Sequence, residues 1–402
     1  MGRADVVVVG AGPAGLLSAR EVARRGVEVK VVEEHSVVGE PNHCAGLLSV
    51  EGLDRLGVRP SKDFIQHEIT GGRICSPGGM VIEIPGERTR AYAIDRAALD
   101  RHLADAAEGE GAEVETGRRA SELTVHDGRV EGIRGPDWSV HARLVIDAEG
   151  AGAHLARGIG LVPPASRLLT GVNVEAHRVD VEPHMVEVWL GGDVAPGLFA
   201  WVIPLGDGAA RCGLACSTGD APERLRRFLE RRFSGARSSP PRSGFVLTGG
   251  PVRRTYSDGL LLVGDAAGQA KPTTGGGVIL GGLCAIEAGR TAAEAVEAGD
   301  CSAGFLRRYQ SAWRGLLGGE FAAMSSARRL LNRMSDEQID GLFGALRGEG
   351  LQEVLQGLVL GGDMDHQSGV LRSALRNPAL LRALVGVVGG LALDELRGLF
   401  NL

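Results

Sequence analysis

Three short stretches of this sequence carry residues whose type and spacing suit chemistry. The first is Gly10-x-Gly12-x-x-Gly15, which follows the valines Val6 to Val9 and opens a helical pattern with apolar Leu16, Leu17, Val22 and Ala23. A tight turn at Gly10, open backbone at Gly12 and close helix packing at Gly15 make a pyrophosphate seat, and the helix N-terminus adds N–H groups and partial positive charge. Ala14 stands inside that turn. The strand Val29 to Val32 ends in Glu33, an acid placed about 20 residues beyond the glycines to accept ribose hydroxyls. Strand, glycines, helix, strand and acid in that order separate a dinucleotide site from a plain tight turn.

The second stretch is Gly264-Asp265 at the end of Leu260 to Val263, followed by Pro272 and Gly275-Gly276-Gly277-Val278 at the entry of a long apolar helix reaching Ala298. Glycines at a helix entry offer backbone donors to an anion or a cofactor ring, and Asp265 can accept ribitol hydroxyls. One dinucleotide needs both glycine sites only if it is long and folded across the domain, as FAD is. The third stretch is His43-Cys44-Ala45-Gly46-Leu47-Leu48-Ser49, on a loop that ends where Ser49 caps a short helix. Cys44 reads either as a small packed thiol or as a thiol held beside a cofactor.

These stretches need a scaffold. Leu144 to Asp147 extends the parallel sheet and turns out through Glu149-Gly150 into a helix near 153–157. Tyr92 to Arg96 enters a helix with Leu99 and Leu103 on one face, where Arg96 is an exposed cap or a phosphate partner, and a strand Ala112 to Thr116 follows. Hairpins are expected at 72–84, around a Pro-Gly-Gly turn, and at 122–133, around Asp127-Gly128. From Thr170 the alternation Val172–Ala176, Met185–Leu190, Phe199–Pro204 and Ala210–Ala215 runs without helices, the pattern of an inserted antiparallel sheet. Cys212 and Cys216 share one face there and read as packing residues. The fold class is therefore α/β: an FAD-binding Rossmann domain over 1–165 with a hairpin excursion at 70–90, an antiparallel substrate domain over 166–250, a return to the first domain over 251–300 and a C-terminal helical region over 301–402.

Composition narrows the function. A chain of 402 residues with net charge −6 and no basic run is not built for nucleic acid. Six scattered cysteines without a CxxC pair argue against a metal or iron–sulfur site and for a reducing, cytoplasmic setting. No leader is read, because the first apolar segment opens straight into the nucleotide motif. The apolar run Ala383 to Leu393 is too short to span a bilayer. With Leu351 to Leu360 it reads as a helical cap on the core or as an interfacial surface peripheral to the membrane. Lys271 is one of three lysines beside 41 arginines, and reads as a solvated loop residue or as a charge near the reduced ring.

The motifs together resemble the glutathione-reductase-like flavoproteins of the p-hydroxybenzoate-hydroxylase branch, over most of residues 4–300. Within that branch the chain is similar to the geranylgeranyl reductases, above all the archaeal digeranylgeranylglycerophospholipid reductases. The Cys44-to-Ser49 loop and Pro196-Gly-Leu-Phe199-Ala-Trp201-Val-Ile-Pro204 carry that resemblance. Phe199 and Ile203 depart from the family's Pro-x-x-Tyr-x-Trp-x-Phe-Pro pattern, so no phenol stands at 199 to give a proton.

The resemblance implies FAD contacts at Ala14, Glu33, Cys44, Ala45, Leu47, Arg96, Ala120, Asp265, Gly277 and Val278, a catalytic role for Cys44, and a lipid pocket at Phe199 and Trp201. It also implies reduction of geranylgeranyl double bonds in phospholipid biosynthesis, with an isoprenoid lipid substrate and ferredoxin, NAD(P)H or a deazaflavin as electron donor. A flavin monooxygenase of the same fold and a non-catalytic prenyl-lipid binding flavoprotein are the alternatives. An electron-transferring flavoprotein dehydrogenase would need a cysteine cluster that this spacing lacks.

Overall fold

The computed structural model describes residues 2–161, 168–348 and 350–388. Its first sheet is centred on Gly2–Val9, which pairs in parallel with Val29–Val32 on one side and Ser139–Asp147 on the other. Leu260–Leu262 and Glu113–Glu115 extend it in parallel, and the hairpin Glu122–His126 with Arg129–Arg134 adds antiparallel strands. The valine run is apolar on both sides because both faces are covered. Val6 and Val8 face the helices Pro13–Ala23 and Val278–Ala298, while Val7 and Val9 face Ala153 and Leu155. Those two helices cross closely through small residues: a Cβ on Gly289 would come within 2.5 Å of the Ser18 carbonyl.

The second sheet runs Arg237–Ser238, Leu168–His177, Ala209–Cys216, Phe199–Gly206, Met185–Trp189, Gly71–Cys75, Val81–Ile84, with Arg242–Leu247 also on Leu168–His177. One face is dry. Val172, Val174, Cys212, Leu214 and Cys216 pack there against Leu225 and Phe228 of the helix Ala221–Arg232, so both cysteines are core residues, and burial pushes the Cys212 thiol up to about 12. The hairpin at 71–84 differs from the sequence expectation. It is not an excursion of the cofactor domain; Gly71–Cys75 pairs in parallel with Met185–Trp189 and so belongs to the second sheet. The inserted sheet is consequently antiparallel except at that pairing. The expected boundary at 165 lies outside the described residues.

A third, three-stranded antiparallel sheet of Leu47–Ser49, Ala91–Ile94 and Ile65–Ile69 carries the cysteine loop and touches Phe199–Gly206. The C-terminal region begins with the long helix Ala303–Arg333, locked on by Tyr309, whose hydroxyl donates to the Leu262 carbonyl at 2.8 Å. The helices Asp336–Gly348, Leu351–Gly361, Ser368–Arg376 and Pro378–Val388 follow. Ile339, Phe343 and Leu346 pack on Ile82 of the hairpin, so this region caps the second sheet. Leu380, Ala383 and Val388 are buried, which makes the described part of the late apolar run a cap; residues from 389 lie outside the described chain.

Candidate cofactor and substrate site

The Rossmann turn follows the geometry its sequence demands. Gly10 sits at φ +98°, and a Cβ there would meet the Ala148 carbonyl at 2.6 Å. Gly15 lies against the Gly10 carbonyl, where a Cβ would stand at 1.9 Å. Gly12 is the helix N-cap, and no atom of the chain lies within 4 Å of where its Cβ would stand. The three glycines thus divide into two that the fold requires and one that keeps space open. Glu33 Oε2 accepts from the Ala11 N–H at 2.8 Å, while Oε1 meets both the His35 N–H at 2.9 Å and His35 Nδ1 at 2.6 Å, which fixes the carboxylate at the turn with a lone pair of Oε2 to spare.

From that turn a cleft of about 840 Å3 runs along Gly10, Gly12, Glu33, Cys44, Arg96, Ala120, Glu149, Phe245 and Asp265. It brings seven of the sequence-predicted residues into one space. Ala14, Gly15, Ala45, Leu47, Gly277, Val278, Phe199 and Trp201 are not in its wall. Ala14 packs beneath Gly264, Leu47 pairs with Ala93, and Gly277 caps the helix Val278–Ala298 close to Asp265 Oδ1, 2.6 Å from where a Cβ would stand.

Arg96 is not an exposed cap; it lines the cleft with its guanidinium held from one side. Asp95 caps the helix Arg96–Gly109, and Arg96 forms a bidentate pair with Asp100, Nε to Oδ1 at 2.7 Å and Nη2 to Oδ2 at 3.1 Å. Burial acts to lower the Arg96 pKa, but Asp100, then Cys44 and Asp265, outweigh it and raise the value. Burial pushes the Asp265 carboxyl up, and Arg96 offsets part of that rise. The arrangement is a fixed cation with an acid on one side and a thiol on the other. Cys44 Sγ also accepts the Gly46 N–H at 3.4 Å.

The residues fit FAD. A glycine with open space at its Cβ, a helix N-terminus, a fixed acid at the ribose position and a second acid across the same cleft are what a long, folded dinucleotide needs.

Phe199 and Trp201 are half-buried and meet edge to face, ring centroids 6.3 Å apart. They pack with Leu169, Leu198 and Val246 on the face of the second sheet opposite its dry core. Trp201 has room only because Gly213 stands across from it: a Cβ there would come within 2.5 Å of the indole. The Trp201 Nε1 is buried with no hydrogen-bond partner among the described residues.

Lys271 is not a solvated loop residue. Its Nζ lies 2.8 Å from Asp365 Oδ1, and Asp365 also accepts from the Ser49 hydroxyl. Arg328, buried on the long helix, is a second bridge that sequence reasoning missed. It donates to the carbonyls of Pro272 and Thr273 in the loop before the three glycines, and at 3.3 Å to Gly197 beside Phe199. No spacing signal marks these contacts, since the three carbonyls lie 55 to 131 residues away.

Among the described residues no group of three or more histidine, cysteine or acidic side chains is arranged to hold a metal. Among the same residues no helix is long and apolar enough to cross a membrane.

The FAD binding domain family matches residues 3–314. Digeranylgeranylglycerophospholipid reductase 2 of Methanopyrus kandleri is 37% identical over 370 residues, covering 88% of this chain and 93% of that protein. The reductase 2 of the same description from Methanothermobacter thermautotrophicus is 37% identical, covering 87% and 93%. Among solved structures, a geranylgeranyl bacteriochlorophyll reductase-like protein of Thermoplasma acidophilum superposes with a TM-score of 0.84 at 26% identity, over 99% of this chain and 100% of that one. The chain therefore belongs to the digeranylgeranylglycerophospholipid reductase family of FAD-binding proteins.

Proposed function

We propose that this protein is an FAD-dependent reductase that saturates the C=C bonds of geranylgeranyl chains in digeranylgeranylglycerophospholipid precursors of membrane lipids. The observation that carries the reading is the Cys44 loop in the wall of the cleft that also holds the glycine turn, Arg96 and Asp265. When bound and reduced, FAD supplies the hydride for one alkene carbon, and a proton completes the other. Gly12 and the helix N-terminus would seat its pyrophosphate, and Glu33 and Asp265 would take its hydroxyls, with Gly277 packed beside Asp265.

Cys44 acts at the reacting end of the cleft. Arg96 sets the charge around its sulfur. Phe199 and Trp201 hold the prenyl chain on the second sheet, with Arg328 fixing the backbone between them and the glycine loop. An external reductant, whether ferredoxin, NAD(P)H or a deazaflavin, reloads the ring. The C-terminal helices, with Val354 and Val385 exposed on apolar segments, meet the membrane surface from which the lipid is drawn.

The test is anaerobic. Photoreduced holoenzyme mixed with a geranylgeranyl phospholipid should reoxidise and yield the saturated chain by mass spectrometry. Persistent reduced absorbance with lipid bound would leave a carrier rather than a reductase. Cys44→Ala should keep its FAD and lose most turnover; unchanged turnover would remove the cysteine from the chemistry.

A further inference from the structure

The face of the second sheet that carries Trp201 also carries two buried polar side chains that no sequence motif marks. Asn173 is 6% exposed and Arg211 4% exposed. Strand register places them side by side with the aromatic pair: Asn173 is opposite Gly213, Gly213 is opposite Trp201, and in the next row Arg211 lies between Glu175 and Ile203. All of these alternate with the dry-face residues Val174, Cys212 and Val202, so they project from the opposite face.

Both side chains reach into the cysteine loop. Asn173 Nδ2 donates to the His43 carbonyl at 2.8 Å, and Arg211 Nη1 donates to the Ala45 carbonyl at 3.1 Å and the Ile94 carbonyl at 2.9 Å. The carbonyls of the residue before Cys44 and the residue after it are thus each held by the second sheet. The other arm of Arg211 is fixed by Glu175 at 2.9 Å and Gln66 at 2.8 Å, which leaves the guanidinium a single orientation. Gly46 completes the fit. It adopts φ +67°, and a Cβ there would strike Arg211 Nη1 at 2.4 Å.

Both contacts fall on the residues next to Cys44, so the loop backbone before and after the thiol is tied to this one sheet face. We propose that Asn173 and Arg211 are positioning residues that set the Cys44 sulfur in the cofactor cleft, from the same sheet face that meets the lipid beside Trp201. This rests on the reading of Cys44 as a residue at the reacting end of the cleft. Neither residue touches the cleft itself, since neither stands in its wall. They act through the loop backbone alone.

The experiment uses FAD-loaded protein and the near-isosteric Asn173→Leu, with Arg211→Lys as the second variant because it keeps the charge beside Glu175 but loses the fork. The alkylation rate of Cys44 by iodoacetamide is measured in the oxidised holoenzyme, where the other five cysteines are buried, beside kcat, KM and FAD content. Each variant should keep its FAD, alkylate about fivefold faster, the factor one net hydrogen bond carries, and lose kcat with little change in KM. Alkylation unchanged in FAD-replete Asn173→Leu would overturn the positioning role. A faster alkylation in a protein whose Cys44→Ala variant still turns over would uphold the positioning and sink the catalytic role of Cys44, so the two readings fail separately. If Arg211→Lys does not fold, Asn173→Leu, which removes no charge, decides alone.

Discussion

Lys271 and Asp365, 94 residues apart, form a buried ion pair: Nζ to Oδ1 is 2.8 Å, with the side chains 14% and 1% exposed. The pair fastens the loop before the three glycines to the turn between the helices Leu351–Gly361 and Ser368–Arg376. Ser49, the cap that ends the cysteine loop, shares the same carboxylate. Thr273 reinforces the contact by donating to Gln367 at 2.7 Å.

Removing one member of such a pair strands the other. Lys271→Met should destabilise the protein by about 3 kcal/mol, while the double variant Lys271→Met/Asp365→Asn should recover much of the loss. Chemical denaturation of the single and double variants measures the coupling. Because Asp365 neutralises the ammonium, the flavin potential should move little in Lys271→Met; a large fall in a dye-equilibration titration would show that the charge reaches the ring.

Gly12 and Gly15 should separate cofactor binding from folding. A Cβ at Gly12 has open space around it, so Gly12→Val should cost the FAD-free protein far less stability than a side chain at Gly15 would and should abolish FAD retention, read as absorbance per mole of protein. Even one methyl group at Gly15 meets the Gly10 carbonyl, so Gly15→Ala should fail at the level of the fold. Full FAD content in Gly12→Val would remove the pyrophosphate seat from this turn.

Trp201→Ala removes a half-buried indole from the sheet face proposed to hold the prenyl chain. Loss of roughly 2 kcal/mol of apolar contact should raise the KM for a geranylgeranyl lipid at least about tenfold, with FAD content intact. Phe199→Ala should act in the same direction. A large fall in melting temperature with unchanged KM would assign both rings to the core.

Asp147 gives a pH signature. Burial first, then the charge of Glu149, raises its carboxyl well above the ordinary range. The folded chain therefore keeps a proton that the unfolded chain releases near about pH 4. Stability from this group is complete below that value and declines as pH rises toward the raised folded value, because the native state binds the extra proton. Asp147→Asn should match the parent near about pH 4 and exceed it in stability near about pH 8. Urea unfolding of FAD-free protein at the two pH values tests this; an equal difference at both would mean Asp147 ionises normally.

The sequence was most legible where function depends on local order. The glycine turn, Glu33, Asp265 and the Ser49 cap each follow from residues within one strand–turn–helix unit, and their geometry is as the spacing demands. It was opaque where partners are remote. The hairpin at 71–84 looked local, and nothing in it signals a parallel partner more than a hundred residues on. Asn173, Arg211, Arg328 and Asp365 are ordinary polar residues with no repeating spacing, and their partners appear only when three sheets and the C-terminal helices are brought together. Lys271 was noticed for its rarity, which says nothing about which acid it would meet.

The strand Gly71–Cys75, taken into the second sheet from within the first domain's stretch of chain, has a consequence for how this protein can diverge. The second sheet is woven from two discontinuous segments, 71–84 and 168–247, so no single cut releases it. A recombination that imports a relative's 168–247 must also match the foreign edge to the resident strand at 71–75. New substrate preferences would therefore arise by point changes on the face that carries Trp201 sooner than by exchange of a module.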